Sequence, residues 1–230
     1  MWGIYDYLIW ALSVGLVGYV LFRIMAGRAF TRYLALSTYL LATLSFTVTA
    51  ALIYLLYGFR SLEYRYFYFF GDAVLSLLLY LVLAGLFERI FSELGFSRYV
   101  RWVALLVLAG TVGVSYSIVH SAGDRILGKF VVELQQNLYF LGVVLCTLLW
   151  FSMRKLNNMP MRLMQITLGL GMFLGAHAAL YAFHNMFPSL AFWRYIPPAS
   201  YVLFLVVLAH TFTTVPETAR VETRLVTQLQ

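Results

Sequence analysis

LALSTYLLATLSFTVTAALIYLLY, residues 34–57, carries no charged side chain from end to end. A helix of roughly 20 apolar residues covers a hydrocarbon core about 30 Å thick. Inside that core every backbone N–H and C=O must find its partner within the segment, so this stretch predicts a transmembrane α-helix. Six further stretches of the same kind flank it, at about 5–24, 68–88, 100–119, 130–152, 163–186 and 196–215. Together the seven leave little chain for a separate soluble domain. The expected fold class is all-α: a polytopic seven-transmembrane-helix bundle forming one domain over 1–230, with a short tail at 216–230.

Composition points the same way. Of 230 residues 63% are hydrophobic and 11% charged, where a soluble domain averages roughly 45–50% and 25%. A net charge of +7 suits nucleic acid only when it is clustered. Here the basic residues sit singly in interhelical turns, so the expected partner is the lipid bilayer with its anionic headgroups, and not nucleic acid. Cys146 is the one cysteine and lies inside an apolar run, which excludes a disulfide framework.

The turns give the spans a direction. Pro160 and the asparagines of RKLNNMPMR break the chain between spans five and six, Gly95 and Ser97 read as the cap residues between spans three and four, and Pro197 and Pro198 open span seven. Asp6 precedes the first apolar run and Arg23 and Arg28 follow it, the reverse of a cleavable signal, so the first span is expected to be retained. Arginine and lysine number 11 in the turns after spans one, three and five and in the tail, against 5 on the other side. The positive-inside rule then puts the N-terminus outside and the C-terminus in the cytoplasm.

Ionisable and amide groups inside a membrane are the default places to look for function. Asp72 opens span three, Glu133 opens span five, and His177, Tyr181 and His184 share one face of span six at i, i+4 and i+7. Glu133, Gln136, Asn137 and Phe140 likewise share a face of span five. If these faces point inward, Asp72, Glu133, Asn137, His177, Tyr181 and His184 line a ligand-binding pocket in the outer half of the bundle. The alternative places Asp72, Glu133 and His184 in wet headgroup, with His177 buried and satisfied by a neighbouring hydroxyl or carbonyl. His177 and His184 stand about 10 Å apart along a helix, too far to share an ion, and no HxxxH or HExxH occurs, so no metal site is expected. Ser115, Ser117 and His120 at one helix end read as helix hydrogen-bonders, not a nucleophile and its base.

Other features read as structural. Glu88, Arg89, Glu93 and Arg98 form an expected cytoplasmic ion-pair network. Ala109, Gly113 and Ser117 on span four, and Gly171 and Gly175 on span six, are spaced for close helix approach. Tyr64 to Phe70, and Trp193, Tyr195 and Tyr201, read as interfacial aromatic belts. Val221, Leu225 and Leu229 in the tail are spaced as one helical face.

Seven helices with the N-terminus outside resemble the microbial rhodopsins in topology alone. A retinal Schiff base needs a lysine in the last span, and the only lysines are Lys129 and Lys155 in turns, so no retinal is expected. Through YRYFYFFGDAVLSLLLYLVLAGLFERIF, residues 64–91, and the VPE at 215–217, the chain resembles a loose group of uncharacterised bacterial seven-helix integral membrane proteins. That resemblance implies a bacterial inner-membrane location and supplies neither an activity nor a cofactor. With no catalytic signature, the expected function is non-enzymatic: a sensor or accessory subunit that binds a small ligand, lipid or protein partner through the outer half of the bundle. The alternatives are a proton-coupled transporter or channel and, third, an intramembrane enzyme.

Overall fold

Seven α-helices account for nearly all the described residues of the computed structural model, which are 4–58, 61–92, 97–120, 126–154, 158–186 and 195–222. They are α1 (Ile4–Ala26), α2 (Leu34–Tyr57), α3 (Leu62–Ser92), α4 (Ser97–His120), α5 (Ile126–Arg154), α6 (Met161–Met186) and α7 (Ile196–Thr214). All seven are long and apolar enough to cross a membrane. The boundaries follow the apolar spans closely except at α3, which begins at Leu62 and so includes the whole aromatic entrance. The cause is local: the Tyr64 N–H donates to Ser61 Oγ at 3.1 Å, an N-cap that starts the helix ahead of its apolar window. At α7 the expected prolines occupy the first turn, where their missing N–H groups leave no intrahelical bond unmade.

Serines and threonines are frequent in these helices, and they stay in lipid by returning their hydroxyls to the preceding turn. Thr43 donates to Tyr39 O, Thr47 to Thr43 O, Thr111 to Val107 O and Ser117 to Gly113 O, all between 2.7 and 2.9 Å. Each bond removes a donor from hydrocarbon without calling on a neighbouring helix.

The chain divides into two compact units, Met1–Phe30 with Gly142–Gln230, and Thr31–Leu141, so α5 contributes a half to each. In the first unit α7 packs against both α1 and α6. The α6–α7 contact is close at Gly169, where an added Cβ would stand 2.9 Å from Val207 Cγ1. The end of α7 is held by arginines: Arg162 Nε donates to Val215 O at 2.6 Å, and Arg23 Nη2 reaches Thr213 O at 3.4 Å. Beyond α7 the chain folds back as β2 (Arg220–Glu222), antiparallel to β1 (Asn158–Pro160). Val221 is therefore in a strand and not on a helical face; Leu225 and Leu229 lie outside the described residues.

In the second unit α3 packs against α2 and α4. Gly71 of α3 meets the ring of Phe46, which stacks on Phe67 with centroids 5.1 Å apart. Tyr80 Oη donates to Ala104 O at 2.6 Å and ties α3 to α4. The small residues of α4 do not make the close contact expected of them: Ala109, Gly113 and Ser117 are exposed, and a Cβ at Gly113 would meet nothing within 4 Å.

Candidate functional site

Asp72 stands ten residues into α3, about 15 Å from its start at 1.5 Å per residue. That is further along the helix than its place at the start of the apolar window suggested, because the helix begins earlier. A carboxyl group inside an apolar helix bundle needs a partner, and it has one: Gln135 Nε2 of α5 donates to Asp72 Oδ2 at 2.7 Å. Gln135 is 4% exposed, and Ser76 returns its hydroxyl to Asp72 O at 3.0 Å. Two residues further along α5, Asn137 Nδ2 donates to Ser115 Oγ of α4 at 3.0 Å, and Ser115 is fully buried. Neighbouring carboxamides therefore tie α5 to two different helices, Gln135 to α3 and Asn137 to α4. Interhelical polar bonds of this kind contribute about 0.6 kcal/mol each on average in a membrane, and leaving such groups unpaired is costlier.

Beside this polar layer lies a recess of about 300 Å³ between α4 and α5, lined by Val107, Gly110, Thr111, Val114 and Asn137. It exists because Gly110 has no side chain: a Cβ there would meet nothing within 4 Å. The Thr111 hydroxyl is committed to its own helix. Asn137 is half-buried and uses one amide N–H on Ser115, which leaves its second N–H and its carbonyl oxygen as the polar lining. Gly110 is ten residues from the end of α4, and Asn137 eleven from the start of α5. Both are then roughly 15 Å from the same end of the antiparallel pair, and Asn137 lies seven residues, about 10 Å, inside the apolar span of α5 that begins at Phe130.

The six expected ligand-binding residues divide between the units. Asp72, Glu133 and Asn137 belong to the second; Asp72 and Asn137 join the polar layer through Gln135 and Ser115, and Glu133 is half-buried one turn before Asn137. His177, Tyr181 and His184 belong to the first. His177 Nδ1 lies 3.0 Å from Phe173 O, and its ring rests 4.4 Å from that of Phe173. Tyr181 is half-buried, and the His184 side chain lies outside the described residues. Gln135 and Gly110 carry no sequence signal of their own, and Ser115, read as a helix hydrogen-bonder, accepts from Asn137 of the neighbouring helix. A carboxyl group at membrane depth implies an amide or cation opposite it, and Gln135 was available to that logic.

Of the charges expected to form a network at the end of α3, Glu88 and Arg89 lie among the described residues. Glu88 accepts from Arg101 of α4, through Nε at 2.9 Å and also through Nη2. Arg89 donates to Arg32 O at 3.3 Å, with its guanidinium 4.3 Å from the Tyr33 ring centroid. Glu93 and the Arg98 side chain lie outside the described residues. With Arg101 70% exposed, water and salt screen the ion pair and it adds little to stability. Among the described residues no three His, Cys, Asp or Glu side chains are placed to hold a metal ion.

Fold and site together define an all-α protein of seven membrane-spanning-length helices, with a hydrogen-bonded polar layer inside its α3–α5 unit. Comparison with known protein families, curated proteins and solved structures finds no match to this chain.

Proposed function

We propose that the protein is a non-enzymatic component of the bacterial inner membrane, N-terminus outside, that binds a small membrane-borne ligand and acts as a sensor or accessory subunit. The supporting observation is the uncommitted amide of Asn137 at the recess between α4 and α5. A helix contact needs neither an open recess nor a spare carboxamide in hydrocarbon; a binding site uses both. The polar layer below it holds α5 in register, so that occupancy of the recess bears directly on how α5 sits against α3 and α4. As a sensor or accessory subunit, the protein passes that change to a partner protein.

Native mass spectrometry of the intact chain, released from membranes in mild detergent, tests this reading. A discrete adduct of small-molecule mass is expected on the wild type and not on Gly110→Leu, whose side chain fills open space without a clash. Identical adduct patterns on the two proteins would refute it.

A further inference from the structure

The recess specifies the chemistry of what fills it. Its walls, Val107, Gly110 and Val114, are apolar, and no ionisable side chain among the described residues lines it. It is only partly enclosed, and an occupant that reaches it through the bilayer must be soluble in hydrocarbon. A volume of about 300 Å³ accepts on the order of ten methylene-sized groups at roughly 30 Å³ each.

A plain acyl chain fits that space but strands the Asn137 carbonyl oxygen and N–H in hydrocarbon, where each unsatisfied group costs several kcal/mol. A phospholipid cannot supply the missing bond with its headgroup. That group stays at the interface, about 10 Å from Asn137, which stands seven residues inside the apolar span of α5. An ionised ligand would be buried without a countercharge.

We infer that the recess binds an uncharged amphiphile dissolved within the bilayer, whose apolar chain lies over Gly110 and whose single carbonyl or hydroxyl oxygen hydrogen-bonds Asn137. This rests on the binding function proposed above and names the ligand class. A quinone ring and a neutral glycerolipid share that chemistry and differ in the group they present.

The test is photolabelling of the full chain in phosphatidylcholine nanodiscs. Two diazirine probes of equal chain length are compared, a hexadecanol and a hexadecanoic acid ionised at the working pH. Saturable labelling within Val107–Val114 is expected from the alcohol and not from the acid. Gly110→Leu is expected to abolish it, and Asn137→Leu to weaken it about five- to tenfold, the equivalent of one hydrogen bond. Gly113→Leu, equally free of clashes and outside the lining, should leave it unchanged. Competition by decylubiquinone assigns the quinone source, and competition by dioctanoylglycerol the glycerolipid. Equal labelling by the acid, or labelling indifferent to Asn137→Leu, overturns the ligand class while leaving a binding site in place. Absence of saturable labelling by either probe, or a dimer of the wild type that Gly110→Leu abolishes, overturns the binding function itself.

Discussion

Gly169→Val is expected to lower the melting temperature of the detergent-solubilised protein by about 4 to 12 °C, the equivalent of roughly 2 to 3 kcal/mol in a chain of this size. At Gly169 a Cβ would meet Val207 Cγ1 at 2.9 Å, Val207 Cβ at 3.2 Å and Phe204 Cδ2 at 3.4 Å. Val207 offers no escape, since a β-branched side chain on a helix is confined to one main rotamer and its Cβ moves only with the backbone. Phe204, 1% exposed, is stacked on Phe173 with centroids 5.5 Å apart. The helices must therefore separate, and α7 would draw away from Thr211's bond to Gln165. Gly175→Val tests the local nature of the effect, because nothing lies within 4 Å of a Cβ there on the same helix; it should melt within a few degrees of wild type. A Gly169→Val protein that melts with the wild type would contradict the close approach of α6 and α7.

Gly71→Ala is expected to destabilise the α2–α3 contact by about 1 to 3 kcal/mol. The added methyl falls on the Phe46 ring, which is held by its stack on Phe67 and by Tyr68 at 6.0 Å. Phe46 is half-buried, so its ring can swing towards lipid, but only by giving up both ring contacts. Phe46→Ala separates the two effects. Alone it loses the aromatic packing, and combined with Gly71→Ala it should be less harmful than the two losses added, with a coupling of 1 kcal/mol or more by unfolding titration. Strict additivity would mean that the two residues do not meet. Gly71 also precedes Asp72, so a shift of α3 at this point moves the carboxyl relative to Gln135.

The seven helices were legible because length and hydropathy along the chain are a one-dimensional signal, and membrane crossing fixes both. The early start of α3 was not, since Ser61 acts through a cap that a hydropathy window does not register. The site was legible in part for a geometric reason. Gln135, Gln136 and Asn137 are consecutive, about 100° apart around the helix, so together they address most directions and the sequence does not say which one faces α3. Pairing Asn137 with Glu133 on one face was sound periodicity, yet the partner of Asp72 turned out to be Gln135, on a different face.

The same limit explains the small residues and the charges. Four-residue spacing at Ala109, Gly113 and Ser117 permits close approach but does not supply a neighbour; the tight contacts form at Gly71, Gly142 and Gly169, which have bulky side chains across from them. Arg101 of α4 stands thirteen residues from Glu88 in sequence, and the packing of α3 on α4 brings it to the Glu88 carboxylate.

The proposed site requires α3, α4 and α5 to cross the membrane, and the proposed topology has all seven helices crossing with the N-terminus outside. Cysteine accessibility tests that most directly, in a Cys146→Ser background carrying Glu63→Cys, Tyr195→Cys or Thr218→Cys, each an exposed position at a helix end or turn. A membrane-impermeant maleimide applied to intact cells should label positions 63 and 195, and reach 218 only after permeabilisation. Labelling of 218 in intact cells would contradict the orientation, and labelling of 195 and 218 on one side would contradict the crossing of α7.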